Sequence, residues 1–229
     1  TWYATRLALK LTGGRTKRVR QIQFHPSYSY EEFVEGYVPV QTNRGEPPSF
    51  EVKDKLFLLL CDRARNDLEN KYVLVIDEFS RGDPSRIFGE LLTYIEPSYR
   101  NKKFWLPYSG RSTSIPPNVL IIATMNPYDK SVSDLDDAME RRFTRIAMDP
   151  SLQILKTLLG ESGASVELIG KVVNFFNLAN EKSPHGFGQT FFLGVEQTED
   201  LERLWRHSLR FVFEKMFPFE PDLVKELRD

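Results

Sequence analysis

"YVLVIDEFSRGDPSRIFGELLTYIE", residues 72–96, sets four consecutive apolar residues, Val73 to Ile76, directly before two carboxylates, Asp77 and Glu78. A short apolar run without alternation predicts a strand buried on both faces of a parallel sheet. Such a strand delivers its last residues to the carboxyl edge of the sheet, where open α/β folds bind ligands. An Asp at that edge can support a magnesium ion, and a Glu after it can polarise a water aimed at a terminal phosphate. A strand that merely ends on polar residues at the surface has the same pattern, so the stretch alone leaves both readings open. Downstream, "DPSRIFGELLTYIE" predicts one helix. Asp83 is its cap, Pro84 suits its first turn, and Ile87, Phe88, Leu91, Leu92 and Ile95 line one side.

Further along the chain, "NVLIIATMN" (118–126) predicts a second buried strand, introduced by Pro116–Pro117 and ending at Asn126. Asn126 would lie beside Asp77 and Glu78 if the two strands are close in one sheet. A neutral amide there can hold a water or touch a phosphate without adding a third negative charge; Asn-Pro after a strand also reads as a turn. "SDLDDAMERRF" (133–143) predicts a short helix with Ser133 as a possible cap and Arg141 and Arg142 at its end. Paired arginines can neutralise charge that develops in phosphoryl transfer at a subunit boundary, or can simply complement the helix dipole. Arg81, three residues after Glu78, carries the same two readings.

The 229 residues are 41% hydrophobic and 28% charged, an ordinary globular balance with room for one large domain or two small ones. Thirty-one basic against 32 acidic residues give a net charge of −1, so no global basic excess advertises nucleic acid, although a local basic face remains compatible. The single cysteine, Cys61, excludes an intrachain disulfide framework and reads as a buried thiol in "KLFLLLCDRA". His25, after a strand, reads as structural or as a coupling residue at a subunit boundary. His185 and His207 have no ligand spacing, so no zinc site is expected. No apolar run approaches the ~20 residues of a membrane span, and the N-terminal stretch lacks a signal-peptide layout, so the cytoplasm is the expected compartment.

Residues 1–12 predict an amphipathic helix with Ala4, Leu7 and Leu11 on one face, stopped by Gly13–Gly14. "RVRQIQFHP" predicts a strand, residues 27–50 a structured loop, "VKDKLFLLLCDRARND" a helix and "FTRIAM" (143–148) a third strand. After Asp149–Pro150 the periodicity is helical throughout, with Phe175, Phe176, Trp205, Phe211 and Phe213 as core. The expected division is an α/β core at 1–149 and a helical subdomain at 150–229.

The order strand-Asp-Glu, strand-Asn, helix-Arg-Arg, helical subdomain resembles an AAA+ nucleotidase. It is most similar to the McrB family, GTP-hydrolysing motors of modified-cytosine restriction systems. "FHPSYSYEEFVEG" (24–36), "VLVIDEFSRGDPSRIFGELLTYIE" (73–96), "ATMNPYDKSVSDLDDAMERRF" (123–143) and "GFGQTFFLG" (186–194) carry the resemblance over most of the chain. It implies an AAA+ P-loop NTPase fold, a parallel sheet flanked by helices and followed by a small helical lid. Asp77 and Glu78 would be the Walker B pair and Asn126 the sensor. Asn126–Asp129 would form the signature loop, with Asp129 catalytic. Arg81, Arg141 and Arg142 would be candidates for arginine-finger and intersubunit contacts. No G-x-x-x-x-G-K-[ST] occurs in the sequence. "TWYATRLALKL" resembles the helix that follows that loop, with Thr1 as its final Thr, holding nucleotide and, with Asp77, the metal. The first strand and phosphate loop are therefore expected before residue 1.

The resemblance further implies Mg2+ and GTP or ATP as substrate, and a homo-oligomeric ring, a hexamer. A McrC-like nuclease subunit, DNA through the assembly and no membrane complete the expected partners. Pro127–Tyr128 stand where the family has Thr-Ala, and Gln189 where a His is common, which leaves GTP against ATP open. The rivals are an ATP-dependent remodelling protein of the MoxR or dynein-related kind and a ring scaffold that does not hydrolyse nucleotide.

Overall fold

The computed structural model describes residues 1–41, 47–126, 137–183, 186–219 and 221–227. The chain divides into two compact units, Thr1–Thr144 and Arg145–Asp229. In chain order the first unit runs α1 (Trp2–Leu11), β1 (Val19–Gln23), α2 (Tyr30–Phe33), β2 (Glu35–Val40), β3 (Ser49–Asp54), α3 (Leu56–Arg65), β4 (Tyr72–Asp77), α4 (Pro84–Phe88), α5 (Leu91–Tyr94), β5 (Phe104–Trp105), β6 (Ser112–Thr113), β7 (Val119–Ala123) and α6 (Asp137–Glu140).

Its centre is a parallel sheet in the order β1-β4-β7, with Ile76 opposite Ile22 on one side and Ala123 on the other. The apolar run of β4 is explained by cover on both faces. Val73 and Val75 pack with Ala4 and Ala8 of α1, whereas Leu74 and Ile76 join a larger cluster with Phe24, Phe33, Phe57 and Phe88. All four β4 side chains are fully buried, each contributing about 1.5–3 kcal/mol at most. This burial fixes where β4 ends and hence where its carboxylates emerge.

Several local expectations change. On α1 the buried face is Ala4 and Ala8, with Leu11 packed at its edge, while Leu7 is 44% exposed. Small residues at i and i+4 let the helix lie close on the sheet, and the i+3 position turns outward. The single helix expected over 84–95 is two short ones, broken at Gly89 with φ +53°. A Cβ there would stand 3.2 Å from the Tyr30 ring. The loop expected over 27–50 contains α2 and one arm of the antiparallel β2–β3 hairpin. The strand expected at "FTRIAM" does not form; Ile146 and Met148 are 76% and 63% exposed, and no strand among the described residues pairs with them. The helix expected over 133–143 is described only from Asp137, so Ser133 lies outside the described residues.

The second unit is helical among its described residues: α7 (Leu152–Glu161), α8 (Val166–Lys182), α9 (Thr198–Leu204), a π turn at Trp205–Leu209, α10 (Arg210–Met216) and α11 (Pro221–Glu226). Ser151 and Ser165 cap α7 and α8 by accepting from the backbone N–H of Ile154 and Leu168. The core gathers Leu155, Leu159, Leu168, Val172, Phe176 and Phe213, with Phe175 and Trp205 packed against it. Phe211, expected among them, is 59% exposed. Among the described residues no helix is long and apolar enough to cross a membrane.

Candidate active site at the carboxyl edge of the sheet

The pairing of β4 continues past its end. Phe24 N–H donates to the Asp77 carbonyl, Thr124 N–H to the Ile76 carbonyl, and Phe79 N–H to the Thr124 carbonyl, each at 2.9 Å. The Asp77–Glu78 peptide is thus clamped between the chains that leave β1 and β7.

Asp77 projects from this clamp with its side chain 17% exposed. The Thr1 hydroxyl lies 2.6 and 2.7 Å from its two carboxylate oxygens, and the Thr124 hydroxyl donates to Oδ1. Burial pushes the carboxyl pKa up, and opposing groups, the Thr1 and Thr124 hydroxyls foremost among them, bring it below the usual carboxylate range. Asp77 therefore stays ionised at neutral pH. Thr1, the N-cap residue of α1, ties that helix to the end of β4.

Glu78 turns the chain out of the strand in the left-handed region, at φ 52° and ψ 45°, an uncommon conformation for a residue with a Cβ. Phe79, 2% exposed in the large cluster, anchors the next residue. Arg81 places Nε 3.1 Å from Glu78 Oε2, with the two side chains 46% and 33% exposed. So exposed a pair adds at most about 1 kcal/mol of stability, but it orients the carboxylate.

These oxygen donors suit a hard divalent cation such as Mg2+, which binds through one or two carboxylates plus phosphate and water ligands. They do not make a self-contained cage: among the described residues no group of three or more His, Cys, Asp or Glu could hold a metal.

Asn126 is exposed, three residues beyond the β7 residue that pairs with Ile76, so it stands at the same edge. Asp129 and His185 lie outside the described residues. The two terminal arginines differ. Arg142 Nε donates to the Leu92 carbonyl at 2.7 Å and lies 3.1 Å from Glu96 Oε1, with its side chain only 17% exposed. Arg141 is exposed and bonds back to the Asp137 carbonyl of its own helix. His25 is exposed just past the end of β1, against the edge of Tyr28. Burial pushes the Cys61 thiol up to about 12, as befits an inert core residue. Gln189 is buried in the second unit, where its amide oxygen accepts from Ser151 N–H. Sequence reasoning missed Thr124; a hydroxyl directly after the apolar run of β7 was the available signal.

The dynein-related subfamily of AAA domains matches residues 1–143. The chain is 35% identical over 205 residues to the EcoKMcrB subunit of the type IV methyl-directed restriction enzyme of Escherichia coli (strain K12), which covers 85% of this chain and 43% of that protein. It is 23% identical over 176 residues to component YdiS of the type II restriction enzyme BsuMI of Bacillus subtilis (strain 168), covering 62% of this chain and 51% of that one. The chain spans about half the length, or less, of these relatives. A solved structure of a putative ATPase from Cytophaga hutchinsonii aligns over 91% of this chain and 67% of its own, at 14% identity and a TM-score of only 0.34. The expected resemblance to the McrB family is borne out by the E. coli relative. With its first 143 residues matched and its Asp-Glu pair at the carboxyl edge of a parallel sheet, the chain belongs to the dynein-related subfamily of AAA domains.

Proposed function

We propose that this chain is the nucleotide-hydrolysing motor of a McrB-like, modification-dependent restriction system. It would use GTP in preference to ATP, act in a homo-oligomeric ring, a hexamer, and drive DNA translocation for a separate McrC-like nuclease subunit. The observation that carries the reading is the Thr1–Asp77 contact beside Glu78 at the sheet edge. The similarity to a restriction subunit supports the biological setting.

In this reading Thr1 and Asp77 hold the hard-cation side of the nucleotide. Mg2+, when bound, neutralises charge on the transferring phosphoryl group. Glu78 polarises the attacking water, held in orientation by Arg81, and Asn126 and Asp129 position that water. Arg141 is the arginine offered to a neighbouring subunit, because it is exposed and bonds to a carbonyl of its own helix, whereas Arg142 is largely buried against Leu92 and paired with Glu96. The helical unit is the lid subdomain.

The test is Glu78→Gln in the full-length protein, with GTP and ATP turnover and nucleotide binding measured side by side. Turnover should vanish while binding survives; an unchanged rate rejects the mechanism. The dynein-related character of the matching family favours one second reading, an ATP-driven remodelling protein. Turnover of ATP well above GTP, without stimulation by a nuclease partner, would select it.

A further inference from the structure

The chain is nearly neutral, yet residues 97–117, "PSYRNKKFWLPYSGRSTSIPP", carry four basic residues and no acidic one. The segment leads into and forms the β5–β6 hairpin. Its charges are not equivalent. Arg111 is paired with both oxygens of Asp54 at 2.7 Å, and Arg100 is partly buried with Nε on the Ile95 carbonyl, so neither is available to a partner. Lys102 and Lys103 are exposed and have no carboxylate partner among the described residues. Lys102 sits 4.0 Å over the Tyr99 ring.

These lysines are presented by ordered backbone. Asn101 takes the left-handed conformation at φ 63° and donates its N–H to the Ile115 carbonyl, and Lys102 N–H returns to the Tyr99 carbonyl. Strand alternation then sends Phe104 and Leu106 into the core and Trp105 outward, 72% exposed, on the same face as Lys103. An indole left that exposed on a strand whose neighbours are buried is not core, and two exposed ammonium groups precede it.

We propose that Lys102, Lys103 and Trp105 form a nucleic-acid contact, with the two lysines on backbone phosphates and the indole against a base or sugar face. Cations without a carboxylate partner meet phosphate without the cost of breaking an existing ion pair, and an exposed aromatic ring stacks without regard to sequence. The inference deepens the reading of a DNA-moving motor, but it concerns binding and stands apart from hydrolysis.

The experiment uses the full-length protein with duplex and single-stranded DNA of the same sequence over a salt series. Lys102→Ala/Lys103→Ala should lower the salt slope of log affinity by about 2, near one unit for each phosphate a lysine neutralises. Trp105→Ala should weaken single-stranded DNA about tenfold with the slope unchanged, and weaken duplex less. Basal nucleotide turnover should match the wild type in both variants. Proximity is also read directly, independently of any other surface that contributes to affinity. Trp105→p-benzoylphenylalanine should photo-crosslink to DNA, and the same substitution at Leu68, 61% exposed, should not. Unchanged slope and affinity, or a crosslink from position 105 to protein alone, overturns the proposal, the latter in favour of a subunit contact. Turnover that survives Glu78→Gln would sink the hydrolytic reading and leave this one standing.

Discussion

Glu78 offers a test in which the usual order of two substitutions reverses. At φ 52° and ψ 45° its backbone occupies a region that costs a residue with a Cβ roughly 1–2 kcal/mol and costs glycine almost nothing. Glu78→Ala and Glu78→Gly both remove the carboxylate and its 3.1 Å pair with Arg81, so that effect cancels between them. What remains is the relief of strain in the glycine variant against its larger unfolded-state entropy, ~0.4–1 kcal/mol. The glycine variant should therefore be the more stable of the two by about 1 kcal/mol, and neither should turn over nucleotide. Lys171, exposed in mid-α8, is the control. There glycine should be less stable than alanine by about 0.5–1 kcal/mol. Native-state hydrogen exchange in the β4 amides and in α8 reads each unit separately. One kcal/mol appears as about a fivefold change in exchange rate. Glycine no better than alanine at position 78 would refute the claim that strain is stored there.

Three further outcomes follow from the same geometry. Thr124→Val removes a hydroxyl from an ionised carboxylate that keeps Thr1 and some solvent, so stability should fall by about 1 kcal/mol at pH 7. Asp77 has a depressed folded pKa, so its stabilisation is present above the unfolded value and is lost as pH falls through the folded one. The gap between wild type and variant should narrow below about pH 4; equal gaps in urea midpoints at pH 7 and pH 3 would contradict this. Arg142→Ala should lower stability by about 1–2 kcal/mol, because it removes the bonds to Leu92 and Glu96. Arg141→Ala should leave stability unchanged, and mixing it with Glu78→Gln subunits should separate an effect across the boundary from one within a subunit. Gly89→Ala should cost about 1–3 kcal/mol, because it combines a positive φ with the Tyr30 ring at 3.2 Å. That is a fall of roughly 2–12 °C in Tm by thermal unfolding, at 2–4 °C per kcal/mol for a domain of this size.

The strand that organises the fold was legible because burial on both faces leaves a signature that polar surfaces cannot imitate: Val73 to Ile76 contain no alternation. The β2–β3 hairpin was not legible, because Gly36 and Pro39 interrupt the alternation that would mark β2. The break at Gly89 was hidden for a related reason. The apolar spacing of Ile87, Phe88, Leu91, Leu92 and Ile95 persists across it, since those side chains still enter one core. At the site, the carboxylate positions could be read, but their support could not. Thr124 reaches Asp77 only because β7 pairs with β4, a fact of sheet order rather than of local sequence. The unequal engagement of Arg141 and Arg142 likewise depends on Leu92 and Glu96, some fifty residues away.

The left-handed turn also redirects the second of the two adjacent carboxylates. In an extended strand successive side chains point to opposite faces, so Asp77 and Glu78 could not both address one ligand if β4 simply continued. Leaving both at one edge brings like charges together, and each then needs its own compensation. The structure divides it: Asp77 is satisfied by the hydroxyls of Thr1 and Thr124, whereas Glu78 faces Arg81 after the backbone has turned. The turn is enforced by the Phe79 N–H on the Thr124 carbonyl and by Phe79 in the core, so Thr124 acts at both positions, on the Asp77 carboxylate through its hydroxyl and on the backbone turn at Glu78 through its carbonyl. A valine at 124 removes the first hold and keeps the second. Its effect should therefore fall on Asp77 and leave the Glu78 turn intact.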